Sequence, residues 1–425
     1  MDNIAYQFNR LLLFMIVIAP ILGFITIRFI DIDLFMLLQF FSFIGIFLLL
    51  IFRTNARPII FPKYILFYLL FILYVFYSAF FILDRDFKIN YLFSNRLVGA
   101  LNFMLIIENV PISKKQYQLL IKSSIAILIF AFVVIVIQEV VDPSFFLSNK
   151  FERADLIAEG DTENRLMSIY SWIGELNEIG FGFVPVFILI TEHFLQQKKK
   201  IFLWMLMGMV FILLSKARWV MLNGLVVFVL LIINSENKIG QVVKYAFLIP
   251  LLSIVIFFGL KYVGLNVEGI VNERILEKND KGSEKSATTR FLAFDAFNKL
   301  YWENAFWGKG SIKYGMGGTG QQDYQLKKFL NGRSAQIHVG YLSLFYMYGL
   351  VGGFFFMAFL TLFMRKIYKQ AKMMRFWAPF LGFLGLVLAN LTLVTFSTFQ
   401  VGLLTVLIAH NYYYQNFMKS TNNVL

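Results

Sequence analysis

Long runs of apolar residues alternate with short polar segments along most of the chain. A helix needs about 20 mostly apolar residues to cross the hydrocarbon core of a bilayer. Twelve runs meet or approach that length, although Arg96 and Asn102 interrupt the fourth, and the short seventh and eighth are joined tightly at Lys216 to Arg218. The runs cover approximately residues 11–28, 34–52, 64–83, 90–107, 119–141, 168–191, 201–215, 219–234, 245–262, 337–363, 376–395 and 398–417. The pattern predicts an all-α polytopic membrane protein with about 12 transmembrane helices.

The runs divide the chain into three parts. Residues 1–262 would hold transmembrane helices 1–9, with a charged external loop at about 142–167. Residues 263–336 would form a large external loop, and residues 337–425 would hold helices 10–12. Because loops of that length usually carry function or fold locally, we expect short helices within the large loop.

Two segments of the large loop have recognisable patterns. Residues 286–304 have the spacing of an amphipathic helix, with Thr288 or Thr289 as its N-cap. The segment from Gly308 to Gly320 contains six glycines. It predicts a flexible lid or turn region.

Basic residues lie mainly in alternate connections between the runs. With a cytoplasmic N-terminus, the internal connections contain Arg53, Arg57, Lys63, Lys114, Lys115, Lys198, Lys199, Lys200, Lys238, Lys244, Arg365, Lys366, Lys369, Lys372 and Arg375. The short external connections contain far fewer, such as Arg28 after the first run. This bias predicts a multi-pass membrane protein with both termini in the cytoplasm.

The amino-acid composition excludes several classes of catalytic and metal site. The chain of 425 residues is 59% hydrophobic and 15% charged, and it contains three histidines and no cysteine. Thiolate metal sites, iron–sulfur clusters and cysteine nucleophiles are therefore excluded. The net charge of +14 is mostly a topology signal with anionic lipids as the simplest partner, so we expect no nucleic-acid binding. The first run is long enough to span and lacks a small-x-small site, so we also expect no cleavable signal peptide.

Three arginines are candidates for binding an anion on the external side. Arg218 lies at the junction of the seventh and eighth runs, Arg290 opens the amphipathic segment, and Arg333 lies just before the tenth run. The arginine side chain is permanently charged and presents a planar fork of donors that suits phosphate. Taken singly, Arg218 is equally compatible with an interfacial arginine beside Trp219. For Arg290 alone, the pattern favours a solvated helix residue.

His338 lies at the external mouth of the tenth run, where its ordinary pKa near 6.5 suits it to accept a proton from a sugar hydroxyl. A lone histidine is more often structural, and we expect neither His193 nor His410 to be catalytic. Glu175 and Glu178 lie three residues apart inside the sixth run, so they share one helix face. Carboxylates inside a membrane indicate a binding cavity or a proton path, which is the best argument in the sequence for a transporter.

Two acidic pairs could in principle hold a metal ion. They are Asp31 with Asp33 in the first external loop and Asp84 with Asp86 in the second. Two acids in a short loop are common by chance, so we predict no metal site. No Walker loop and no dinucleotide-binding fingerprint is present.

Several short motifs, in their order and spacing, resemble the O-antigen polymerase and O-antigen ligase superfamily. SKARW at 215–219 resembles its Ser-x-x-Arg segment, and ELNEIGFGF at 175–183 resembles its Asn-x-x-Gly segment. TTRF at 288–291 with NAFWGKG at 304–310 resembles its arginine helix and Gly-x-Gly segment. The stretch from His338 to Gly349 fits its His-x10-Gly pattern. The motifs cover roughly residues 165–365, and the topology covers the whole chain.

The resemblance implies a glycosyltransferase that acts on undecaprenyl-diphosphate-linked glycans at the periplasmic face, without a metal or another cofactor. It implies that Arg218 and Arg290 bind the diphosphate and that His338 activates the acceptor. From its position in the same external zone, Arg333 would be a third cation. Glu175, Asn177 and Glu178 would line an acceptor cavity. The roles predict inversion at the anomeric carbon. A chain-length regulator and a flippase would be its protein partners.

Polymerase and ligase activities remain alternatives, with a polysaccharide flippase or transporter as a third. A polymerase joins the glycan to another lipid-linked repeat unit, whereas a ligase joins it to lipid A–core. Phe294 occupies the last position of the ligase pattern Arg-x3-Leu that begins at Arg290, so the sequence favours the polymerase. The sugar repeat and the linkage are not encoded in any of these motifs.

Overall fold

The structure is a computed structural model in which every described regular element is a helix. It describes residues 2–25, 34–52, 59–83, 96–141, 145, 173–197, 202–214, 232, 240, 243, 251, 258–259, 261–262, 281–310, 337, 339–391 and 400–422. The α-helices within these ranges are α1 Asp2–Ile25, α2 Leu34–Ile51, α3 Lys63–Tyr77, α4 Arg96–Asn109, α5 Lys114–Val140, α6 Ile173–Gln196, α7 Phe202–Leu214, α8 Lys281–Leu300, α9 Gly340–Met374, α10 Ala378–Ala389 and α11 Gln400–Asn422. A π-helical turn, Ser78–Ile82, continues α3, and a 3-10 turn, Tyr301–Asn304, continues α8.

Three helical stretches in the described part of the chain are long and apolar enough to cross a membrane: Lys63–Ile82, Lys114–Gln138 and Gly340–Met374. They correspond to the third, fifth and tenth predicted spans. Shorter apolar helices lie at Ile4–Ile18, Leu37–Ile51, Leu97–Asn109 and Ala378–Leu388. The all-helical architecture is confirmed, whereas the count of about 12 spans stays a prediction, because runs eight and nine lie almost entirely outside the described residues.

Polar groups that interrupt the apolar runs pair between helices. Asn102, in the weak fourth run, is buried and donates from Nδ2 to the Ser42 hydroxyl of α2 at 3.0 Å. Asn9 of α1 donates to the carbonyl of Gly45 of α2 at 3.0 Å, and a side chain at Gly45 would collide with Asn9. Close backbone approach and interhelical hydrogen bonds are the typical means by which membrane helices associate. Asn102 therefore strengthens the bundle rather than ending a span.

Helix ends that the charge pattern assigns to the cytoplasm meet on one side of the bundle, which we call the inner side. Glu108 at the end of α4 accepts a hydrogen bond from Tyr64 at the start of α3 (2.7 Å) and pairs with Lys366 near the end of α9 (2.6 Å). The Lys366 ammonium also lies 5.0 Å from the centre of the Tyr64 ring. Tyr413 of α11 donates to Gln196 at the end of α6 (2.8 Å). The relative directions of these helices therefore agree with the predicted alternation.

Aromatic packing between α3 and α9 forms the centre of the core. Tyr68 and Phe359 have ring centroids 4.6 Å apart, and Phe71 contacts Phe356 at 4.8 Å. All four side chains are fully buried. Because aromatic rings bury large areas and are rigid, this contact fixes α9 against α3.

Two predicted boundaries were wrong. Helix α8 begins at Lys281, so Thr288 and Thr289 lie inside the helix and neither is its N-cap. Helix α9 continues to Met374, so the basic residues from Arg365 to Lys372 lie on its last turns instead of in a connection. Hydropathy finds the apolar part of a helix, but the helix itself continues as far as its backbone hydrogen bonds are supported.

Candidate active site

Helix α9 is broken at Gly349, whose φ of 59° and ψ of −163° are not helical. In a continuous helix the amides of Leu350 and Val351 would donate to the carbonyls of Tyr346 and Met347, four residues earlier. The break separates these donors from these acceptors. Tyr346 and Met347 are buried, and unpaired backbone groups away from water are costly.

Residues 305–310 of the large loop pair with both sides of the break. Leu350 and Val351 donate to the carbonyls of Ala305 (2.8 Å) and Phe306 (3.3 Å). In return, the Tyr346 and Met347 carbonyls accept from the amides of Lys309 (3.0 Å) and Gly310 (2.7 Å). The loop thus replaces the missing turn of the helical ladder. We call this arrangement, residues 305–310 with 346–351, the glycine junction.

Three glycines allow the two backbones to approach. Gly308, Gly310 and Gly349 all have positive φ, at 77°, 79° and 59°. A Cβ atom on Gly349 would lie 2.3 Å from the Phe306 carbonyl oxygen, and one on Gly308 would lie 2.4 Å from the Met347 carbonyl oxygen. Only glycine meets both the conformational and the steric requirement. Gly308 and Gly310 are therefore buried parts of a close backbone contact, and the rest of the predicted lid or turn region lies outside the described residues.

Helix α3 anchors the glycine junction to the bundle. The Tyr74 hydroxyl donates to the Trp307 carbonyl at 2.7 Å. Gly310 packs against Leu83 and the Ser78 carbonyl at the π-helical turn, where the Leu83 amide donates to that same carbonyl. The π turn shifts the end of α3 by one residue relative to a regular helix, which is a common feature of functional regions.

Helix α8 packs beside the residues that flank His338. Ala293, Ala296 and Leu300 form one apolar cluster with Ile337, Val339 and Tyr346. Arg290 lies one turn before Ala293 in this helix, and His338 lies between Ile337 and Val339 in the chain. The structure therefore brings the arginine-bearing helix next to the two neighbours of the candidate base.

The turn after α8 is held by its own contacts. The Tyr301 hydroxyl donates to the Ala305 carbonyl at 3.2 Å, and burial raises the pKa of Tyr301 above its ordinary value, so it stays a neutral donor. Lys309 pairs with Glu303 at 3.0 Å, with half of the Glu303 side chain exposed. An exposed ion pair of this kind contributes little to the free energy of unfolding. Its effect is therefore local to the turn.

For the other predicted site residues, the structure describes either the backbone alone or nothing. Glu175, Asn177 and Glu178 lie in the first turns of α6, whose backbone is described there without its side chains. Arg218, Arg333 and His338 lie outside the described residues, as do the acidic pairs Asp31 with Asp33 and Asp84 with Asp86. Within the described ranges there is no group of three or more side chains suited to hold a metal ion.

The remaining two histidines have partners on the inner side. His193 Nδ1 lies 2.9 Å from the Tyr117 hydroxyl, and its Nε2 lies 2.8 Å from the Gln197 amide. His410 is buried, with Nε2 2.6 Å from the Gln370 side-chain oxygen. These contacts join helices α5 to α6 and α9 to α11, which is a structural role.

Sequence reasoning did not find the contact between Tyr74 and the loop or the pairing of the loop with a broken helix. The glycine spacing was the available signal: Gly308 and Gly310 are separated by one residue in the loop, and Gly349 lies inside an apolar run. Each fits a backbone that needs positive φ or close approach.

Residues 201–357 match the model of the protein family described as O-antigen ligase. No curated protein matches the chain. The matched segment includes α8, the glycine junction and the first part of α9. The match covers less than half of the chain and supports its resemblance to the O-antigen polymerase and ligase superfamily.

Proposed function

We propose that this chain polymerises undecaprenyl-diphosphate-linked repeat units on the periplasmic face of the bacterial inner membrane. The observation that carries the proposal is the glycine junction, because it joins two motifs of the superfamily resemblance that are about 40 residues apart, Gly308–Gly310 and Gly349. Helix α8 with Arg290 packs against the neighbours of His338 beside the same junction. This reaction needs a base that takes the proton of the attacking hydroxyl and a cation that stabilises the departing diphosphate.

In the proposed step, His338 accepts the proton of an acceptor sugar hydroxyl. The hydroxyl oxygen attacks the anomeric carbon of the donor, and the bond from that carbon to the diphosphate oxygen breaks. The electron pair leaves with the diphosphate, whose growing negative charge Arg218, Arg290 and Arg333 stabilise. Because attack and departure occur on opposite faces of the carbon, the product has inverted configuration. No metal ion takes part in the proposed step.

Helix α6 would supply the acceptor side of the site. Glu175, Asn177 and Glu178 fall within two turns of this helix, so their backbone positions lie close together. Carboxylates and an amide in a membrane-embedded cavity suit hydrogen bonding to sugar hydroxyls. Substitution of Glu175 or Glu178 by Gln should therefore weaken acceptor use more than donor binding.

The test is gel analysis of surface glycan from a deletion strain that expresses variants of the chain. Arg218→Ala, Arg290→Ala and His338→Ala should each reduce a ladder of long chains to single-repeat glycan. Lys299→Ala, which removes a cation from the last turn of the same helix as Arg290, is the matched control and should keep the ladder. A normal ladder from the His338→Ala strain would contradict the general-base role, and loss of purified-enzyme activity in EDTA would contradict the metal-free step.

A ligase is the second candidate, because the matched family model is described as O-antigen ligase. The same variants would then leave lipid A–core without added glycan while long lipid-linked polymer accumulates. The two functions therefore give different products in the same strains, and the composition of the accumulated material distinguishes them.

A further inference from the structure

A cavity of about 590 Å³ lies on the inner side of the bundle, far in the fold from the glycine junction. It opens between the first turns of α1 and α5, which pack against each other. The Gln116 side chain of α5 donates to the Arg10 carbonyl of α1 at 3.1 Å and so holds the two helices together there. Ser113 and Gln116 form a capping box that fixes the start of α5.

The cavity is lined by three cations and by no carboxylate. Arg10, Lys115 and Lys122 line it, and all three are exposed. None of them forms an ion pair within the described part of the chain. Lys366, on the same side of the bundle, instead pairs with Glu108. The three cations therefore concentrate positive charge that no described acidic residue neutralises.

One wall of the cavity is apolar. Leu11 and Phe14 of α1 are 62% and 41% exposed, and Leu119 of α5 completes the wall. Lys122 lies eight residues into α5, or about 12 Å along its axis, and its side chain lines the same cavity. Lysine side chains of this length can lie along apolar surface with the ammonium in a polar region. A ligand that fits has a negative head and an apolar chain beside it.

We propose that this cavity binds an anionic glycerophospholipid of the inner leaflet. Arg10, Lys115 and Lys122 hold the phosphate, and an acyl chain lies along Leu11 and Phe14. Basic pockets between membrane helices on the cytoplasmic side suit phospholipid head groups. The charge pattern of the sequence assigns this side to the cytoplasm, where anionic lipids face the protein. The site is independent of the proposed glycosyl transfer.

Native mass spectrometry of the full-length protein in detergent tests the site. The probes are phosphatidylglycerol and phosphatidylcholine with identical acyl chains. We expect the protein to retain phosphatidylglycerol preferentially, and the variant Arg10→Gln/Lys115→Gln/Lys122→Gln to bind it at least about tenfold more weakly, because each cation near a lipid surface strengthens binding. The matched control is Lys63→Gln/Lys369→Gln/Lys372→Gln, which removes three exposed cations from the same side.

The result that overturns the site is equal retention of phosphatidylglycerol by the two triple variants, whether both keep it or both lose it. Millimolar inorganic phosphate is the third arm: if it displaces phosphatidylglycerol completely, the cavity is a phosphate site and the lipid assignment is wrong. Both variants are first compared by size-exclusion chromatography. Should the cavity variant not purify as a single species, Lys115→Gln is compared with Lys372→Gln, and equal retention by these two contradicts the proposal.

Discussion

At the scale of single residues, Gly349 carries the strictest requirement. Its φ is positive, and a Cβ atom there would lie 2.3 Å from the Phe306 carbonyl oxygen. Relief would require the loop to move away, which would break the hydrogen bonds from Leu350 to Ala305 and from Val351 to Phe306. One methyl group would therefore disturb both α9 and the loop.

We predict that Gly349→Ala lowers the free energy of unfolding by about 2 kcal/mol or more, because backbone strain and the lost pairing act together. Thermal unfolding of the purified protein in detergent measures the change. Gly382→Ala is the control, because its Cβ would meet no atom closer than 3.2 Å and its φ is not positive. Equal unfolding temperatures for the two variants would show that the junction does not constrain Gly349.

How far the site can be predicted from the sequence differs from residue to residue. The motifs included Gly308, Gly310 and Gly349, but glycine content is compatible with a lid as well as with a turn, and it does not reveal that the structure buries this backbone in close contact. Glycine permits both outcomes, and only the packing partner decides between them. Tyr74 could not be found from sequence, because its partner is a backbone carbonyl 233 residues away.

At the scale of elements, a side chain of α6, Glu192, caps the first turn of α10. It is buried near the end of α6, and its two carboxylate oxygens accept from the backbone amides of Trp377 (2.7 Å) and Ala378 at the start of α10. These amides belong to the first turn of α10, where backbone donors have no partner within the helix. A negative group at this end also interacts favourably with the helix dipole.

We predict that Glu192→Gln destabilises the protein by about 1–2 kcal/mol, because an amide offers one acceptor atom where the carboxylate offers two. Thermal unfolding again provides the measurement. Glu303→Gln makes the same chemical change at the exposed pair with Lys309 and should cost no more than about 0.5 kcal/mol. A larger effect at Glu303 than at Glu192 would contradict the capping role.

Element ends explain most of the differences between prediction and structure. Apolar runs correctly located α1 to α7 and α9 to α11, since hydropathy reflects the solvent along each segment. The start of α10 depends on the carboxylate of Glu192, which hydropathy does not record. The break in α9 is likewise invisible to hydropathy, because apolar residues continue across it.

At the scale of the whole molecule, the relative directions of the helices agree with the loop charges, and the absolute orientation is testable. The chain contains no cysteine, so a single introduced cysteine can be labelled without background. Trp302 lies on the external segment and is 74% exposed, whereas Lys372 is exposed at the inner end of α9.

We predict that a membrane-impermeant maleimide labels Trp302→Cys when only the outer membrane is permeabilised. It should label Lys372→Cys only after the inner membrane is disrupted, because positive loops stay in the cytoplasm. Labelling in detergent shows that each cysteine is reactive. Labelling of Lys372→Cys before that disruption would reverse the orientation and remove the periplasmic site.

The glycine junction also fixes one end of residues 311–336. It holds the chain at Gly310, and Ile337 is held again by the cluster with α8, so residues 311–336 begin and end at fixed points. The entropy of closing a loop depends only weakly on its length. A change in the number of residues between those points therefore alters the entropy of closing the loop only weakly.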